Sequence, residues 1–271
     1  MKNWTSTIGL IIMAATVLSC NNNNTTKQDS SISTSDTITS IGSKEIIVNP
    51  LTHAKDFPGA ALNIKSIISE RVGTDSAKII IDYQIENFNL TAQTEHSHHM
   101  ANSHDGQHIH FILDNTPYEA LYEPKHAVTV PINSEHYLLS FLSRSFHESI
   151  KSTTANKLMK FKVDANGKIK NEPTPTEPSL FYSRPKGEYK GEDGKSILLD
   201  FYLVNVTLGT DEHRVKASIN GQEFILDQWI PYEILNLPLG ENIIKLTLID
   251  KDGNALTGNN VSVDRTFTIK Q

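Results

Sequence analysis

The chain has 271 residues, of which 38% are hydrophobic and 21% charged, with a formal net charge of −6. A nucleic-acid binder would show a basic face, and no run of like charges forms an acidic tail or a polybasic membrane patch, so both classes are set aside. Cys20 is the one cysteine, which rules out an intramolecular disulfide and any cysteine-type zinc site.

In chain order, Lys2 gives a positive start and Ile8 to Leu18 an apolar run of eleven residues, too short to cross a bilayer as a helix. The run ends in VLSC. Residues 1–19 are therefore expected to be a lipoprotein signal peptide, with Cys20 lipidated and the protein anchored through that lipid to a bacterial envelope membrane. The outer membrane is the expected one, with the periplasmic or surface side left open. Residues 20–45, Cys20 followed by NNNNTTKQDSS, hold too few large apolar side chains to offset ordering entropy and are expected to be a disordered tether.

The rest is a duplication. KIIIDYQIENFNL from Lys78 matches SILLDFYLVNVTL from Ser196, with Asp82 against Asp200 at an offset of 118. Further on, EHYLLSFL from Glu135 matches ENIIKLTL from Glu241, and KFKV from Lys160 matches TFTI from Thr266, both at an offset of 106. The short apolar segments, cut by Asn-Gly, Asp-Gly and Pro, predict an all-β protein of two tandem immunoglobulin-like β-sandwich repeats. Repeat one is expected over 46–165, a linker over 166–177 and repeat two over 178–271. Only SFHESIKS, around His147, has the pattern of a short helix.

The change of offset places an insertion, residues 91–107, in repeat one alone. This insertion carries His96, His98, His99 and His104. The strand after it, HIHFILD, alternates faces. Ile109, Phe111 and Leu113 match apolar Val215, Ala217 and Ile219, whereas His108 and His110 match Arg214 and Lys216. Both histidines should therefore point away from the sandwich core, beneath or beside the inserted loop. YLLSFL, from Tyr137, is apolar on both faces, so either the loop or the neighbouring domain should cover its outer side.

Two imidazoles at i and i+2 on one strand face suit a transition-metal site, and zinc or copper is the expected ion. His108 and His110 would be strand ligands, with His96, His98, His99 or His104 closing the site and His136 and His147 as second choices. The alternatives are a loose metal-binding loop and a structural interaction module of the cell envelope whose histidine loop has no metal role. Ser143, Arg144 and Ser145, and separately Ser183, Arg184 and Lys186, could hold a phosphate or carboxylate. No nucleophile elbow, HExxH, Walker-type loop or dinucleotide fingerprint is present, so a non-enzymatic module is expected.

QHIHFILDNTPYEALYEPKH, FLSRSFHESIK, FYSRPKG and LLDFYLVN resemble segments of a group of Bacteroidota lipoproteins that carry the label phosphopeptide-binding protein. The resemblance covers nearly all of the predicted folded part. It implies an envelope lipoprotein and a phosphorylated or anionic peptide as partner; from the residues themselves, Arg144, Arg184 and Lys186 are the expected anion-binding groups.

Overall fold

Period-two alternation sets the strands. Along residues 76–86 the side chains of Ala77, Ile79, Ile81 and Tyr83 are buried, and their neighbours are half-buried or exposed. The computed structural model describes residues 44–52, 56–95 and 100–271, which gather into one compact unit. The signal peptide, Cys20, nearly all of the tether, and His96, His98 and His99 lie outside the described residues.

After β1 (Ile47–Pro50), the first repeat runs β2 (Ala61–Val72), β3 (Ser76–Glu86), β4 (His108–Leu113), β5 (Glu119–Leu121), β6 (Lys125–Pro131), β7 (Ser134–Ser143), β8 (Asn156–Val163) and β9 (Ile169–Asn171). A three-stranded sheet, β2-β3-β6, faces a five-stranded sheet, β5-β4-β7-β8-β9. Ile79 and Ile81 meet Ile109, Phe111, Leu138 and Phe161 between them.

The second repeat runs β10 (Ser179–Arg184), β11 (Gly187–Lys190), β12 (Ser196–Val204), β13 (Arg214–Ile219), β14 (Gln222–Leu226), β15 (Tyr232–Leu235), β16 (Gly240–Ile249) and β17 (Ser262–Lys270). Its sheets are β1-β15-β12-β10 and β11-β17-β16-β13-β14, packed around Leu199, Phe201, Val215, Ile234, Leu246 and Phe267. Strands β4 and β13 are the same element 106 residues apart, with the same burial phase for Ile109, Phe111 and Val215, Ala217. The protein is therefore all-β, two immunoglobulin-like sandwiches in tandem.

A third apolar cluster joins the two. Ile112, Leu139, Phe141 and Leu158, on the outer face of the five-stranded sheet of repeat one, meet Phe181 and Tyr202 of repeat two. The Phe141 and Tyr202 rings stack with centroids 4.6 Å apart. The neighbouring sandwich thus covers YLLSFL, and each large side chain buried there contributes about 1.5–3 kcal/mol. Beside this cluster, Lys151 and the fully buried Asp200 form an ion pair at 2.5 Å, and the Ser149 hydroxyl donates to Asp200 at 3.0 Å.

Several expectations need correction. Residues 47–50, assigned to repeat one, pair antiparallel with β15 and so complete a sheet of repeat two. Ile46 accordingly packs in the second core. The expected linker is shorter, because Ile169–Asn171 adds a strand beside β8 before the chain leaves repeat one. SFHESIKS is a turn rather than a helix: Ser143 and Ser149 bridge as antiparallel neighbours across it. The one helical element among the described residues is a single 3-10 turn, Gly191–Gly194.

Candidate metal centre

His108 and His110 share the outer face of β4, as the alternation requires, but repeat two covers that face and both side chains are fully buried. Both point away from the core of repeat one, with His108 beside Gly106 of the insertion; the burial by repeat two is what the alternation did not show. The sandwich contact removes them from water.

A turn brings in the third imidazole. Between β7 and β8, the Arg144 amide donates to the Glu148 carbonyl and the His147 amide to the Arg144 carbonyl, each at 2.9 Å. Repeat two builds the same turn at the offset of 106: Asp250 N–H donates to Asn254 O at 2.9 Å and Gly253 N–H to Asp250 O at 3.1 Å. Gly253 has φ +87°, and the equivalent His147 has φ +69°. Left-handed backbone is free for glycine and costs a side-chain-bearing residue about 1–2 kcal/mol. A histidine there is a strained choice, and its ring goes to the other two.

The three rings converge. His110 Nε2 lies 2.9 Å from His108 Nε2, and His147 Nδ1 lies 3.1 Å from the same atom. Among the described residues, His108, His110 and His147 form the one group whose ligand atoms suit a metal ion. The far nitrogens are held. His108 Nδ1–H donates to the Gly106 carbonyl at 2.8 Å, leaving Nε2 with its lone pair toward the cluster. His110 Nδ1 pairs with the Ser183 hydroxyl of repeat two at 3.1 Å. Outer hydrogen bonds of this kind fix ring orientation and tautomer in metal sites. Ligand nitrogens about 2.0–2.1 Å from a metal stand roughly 3.3–3.6 Å apart, so the two pairs that share His108 Nε2 need to open by only a few tenths of an ångström. Without an ion, His108 Nε2 accepts protons shared from its two neighbours.

Aromatic rings close the walls. Tyr118 stacks on His110 with centroids 3.6 Å apart and planes 7° apart, and its hydroxyl lies 3.1 Å from His147 Nδ1. Tyr122 lies against His108 at 5.1 Å. The insertion seals the top. Ser103 N–H donates to the Ser145 carbonyl at 2.8 Å, and the Ser103 and Tyr122 hydroxyls pair at 2.6 Å. Gly106 turns the chain into β4 at φ +84°, where a Cβ would come within 2.2 Å of the Thr91 carbonyl oxygen.

Burial is the main cause that lowers the pKa of all three histidines, and the nearby Arg184 and Lys186 charges push in the same direction. His108 falls to about 4. The rings are neutral at pH 7, the protonation state that a metal requires.

The remaining predicted residues lie elsewhere. His104 is exposed, 3.6 Å from Asp105, and does not join the cluster. His136 bonds Asp114 and Ser134, each at 2.6 Å, beside Phe161. Arg144 is buried, paired with Glu148 at 3.0 Å and lying over Phe57. Arg184 donates to the Tyr189 hydroxyl at 2.9 Å, and Lys186 donates to the Tyr118 carbonyl. Arg144 and Arg184 therefore have separate partners. Gly106, Tyr118 and Tyr122 are site residues that sequence reasoning missed, and Ser183, expected on an anion, holds His110 instead. The one sequence cue to His147 was its replacement of Gly253, a turn glycine.

No protein-family model matches the chain, and no curated protein matches it. Among solved structures, the fibronectin(III)-like modules of CbhA from Clostridium thermocellum are similar over 78% of this chain and 94% of theirs, at 12% identity and a TM-score of 0.27. The extracellular domain of a hybrid two-component system from B. thetaiotaomicron is similar over 77% of this chain and 32% of that one, at 10% identity and a TM-score of 0.28. Two tandem V-type regions of a chitin-binding protein align over 78% of this chain and 99% of theirs, at 8% identity and a TM-score of 0.22.

Proposed function

We propose that the protein is a non-enzymatic envelope module that binds a transition metal, zinc or copper, through His108, His110 and His147. The observation that carries this reading is the convergence of three neutral imidazole nitrogens, two of them 2.9 and 3.1 Å from the third, on a strained turn that repeat two builds with glycine. Membrane attachment through a lipid on Cys20 belongs to the same reading, supported by the apolar run Ile8 to Leu18 and VLSC. No helix among the described residues is long and apolar enough to cross a membrane. Phosphopeptide binding has less support, because Arg144, Arg184 and Lys186 are each engaged with groups of the protein itself.

Calorimetric titration of the full chain with zinc and with copper tests the site. One ion bound per chain, lost in His108→Ala/His110→Ala and in His147→Ala, is the expected result. Binding that survives these substitutions would overturn it.

A further inference from the structure

The charges and the crowding around the three imidazoles bear on which ion they hold. Three neutral nitrogens supply no negative charge. Among the described residues, no carboxylate belongs to the cluster. Two cations stand close instead. Tyr118 stacks one face on His110 at 3.6 Å, and the Lys186 ammonium lies 3.9 Å from the centroid of the same ring. The imidazole fills the first face, so the ammonium occupies the other. The Arg184 guanidinium carbon stands 5.5 Å from that centroid.

Acids around the site are engaged elsewhere: Glu148, next to His147 in the chain, pairs with Arg144 at 3.0 Å. Asp200 is bound to Lys151 at 2.5 Å, and Glu119, which attracts Lys186, pairs with His126 at 3.4 Å. A divalent ion in this position meets twice the repulsion of a monovalent one, in surroundings where burial weakens screening.

Coordination number points the same way. Zinc takes four ligands, and an open zinc site fills the fourth position with water or an anion. Here His108 and His110 are fully buried and His147 nearly so, and among the described residues no further His, Cys, Asp or Glu joins the three. The Tyr118 hydroxyl stands at the edge of the cluster, 3.1 Å from His147 Nδ1. Copper(I) is satisfied by three imidazole nitrogens and needs no counter-charge from a fourth ligand.

From this arrangement we infer that the ion of the His108–His110–His147 site is copper(I), selected over zinc(II) and copper(II) by the Arg184 and Lys186 charges and by the three-nitrogen set that the described residues supply. The inference rests on the metal-binding reading above and names its ion.

The test is a competition on the full chain against chromogenic chelators. Copper(I) is held reduced with ascorbate under nitrogen, and zinc(II) is titrated in parallel. A chain with His96→Asn, His98→Asn, His99→Asn and His104→Asn removes the contribution of the insertion. Expected are one copper(I) per chain, held at least about a hundredfold more tightly than zinc, and an X-ray absorption spectrum of three nitrogen neighbours. Lys186→Gln should improve zinc affinity about tenfold and change copper(I) affinity less. Zinc bound as tightly as copper(I) in the unsubstituted protein would overturn the choice of ion and leave the metal site standing. Failure of both ions to bind would overturn the site itself.

Discussion

His147 and Gly253 occupy the same position of the same turn in the two repeats, 106 residues apart, with φ +69° and +87°. The turn demands left-handed backbone in both copies. One copy meets that demand with the residue that does so freely, and the other with a side chain that reaches His108. Replacing His147 removes a ring in either case, but the backbone term separates two substitutions. His147→Gly should be more stable than His147→Ala by about 1 kcal/mol, the reverse of the usual order of these residues. Urea denaturation of the metal-free proteins measures the difference, and both variants should lose metal.

Gly106 gives a second handle. An added Cβ meets the Thr91 carbonyl oxygen at 2.2 Å and the Ala92 carbonyl oxygen at 2.8 Å, so the backbone has to shift. That shift moves the carbonyl that orients His108. Gly106→Ala is expected to destabilise the protein by roughly 2 kcal/mol or more and to weaken metal binding about tenfold or more. A variant with unchanged metal affinity would show that the Gly106 carbonyl does not set the His108 ring.

Acid should loosen the metal-free protein. His108 has its pKa lowered from 6.5 to about 4, and His110 and His147 are lowered as well, all mainly by burial. Below about pH 6.5 the unfolded chain takes up protons that the folded chain does not, so stability is full above that pH and falls toward pH 4. For His108 alone the loss is on the order of 3 kcal/mol across that window. Urea midpoints of the metal-free protein at pH 7.5, 6.0 and 5.0 should therefore descend, and less steeply for His108→Gln.

Asp82 and Asp200 are equivalent in sequence and opposite in environment. Asp200 is fully buried against Lys151 at 2.5 Å, while Asp82 meets a largely exposed Lys65 at 3.7 Å. Lys151→Met leaves a buried carboxylate unpaired and should cost about 3–5 kcal/mol, with much of the loss recovered in Lys151→Met/Asp200→Leu. Lys65→Met should change stability by less than about 1 kcal/mol. Thermal melts of the three variants decide the point.

The duplication was legible because strands tolerate little slippage of register, so Glu135 and Glu241 still mark the same strand start. The outward face of His108 and His110 followed from matching their neighbours to Val215 and Ala217. The burial of that face did not, because the cover comes from Phe181 and Tyr202, and local periodicity says nothing about which sheet docks there. His147 carried a cue, the glycine at its counterpart, whose meaning depends on a backbone angle that the sequence does not display. His136 shows the opposite hazard. It sits in the same histidine-rich stretch, yet Asp114 and Ser134 satisfy both of its nitrogens.

The pairing of Ile47–Pro50 with β15 has a mechanical side. Val48 lies against Ile234, Leu51 N–H donates to the Pro231 carbonyl, and Asn236 holds the Glu45 carbonyl. The chain therefore visits the second sandwich, crosses to build the first, and returns to finish the second. Tension applied at Lys44 is borne first by a seam in the distal sandwich, and repeat one is spared until that seam opens. The first repeat behaves as a loop clasped at both ends by the second, so cutting the chain at residue 56 would strip a strand from the far sandwich.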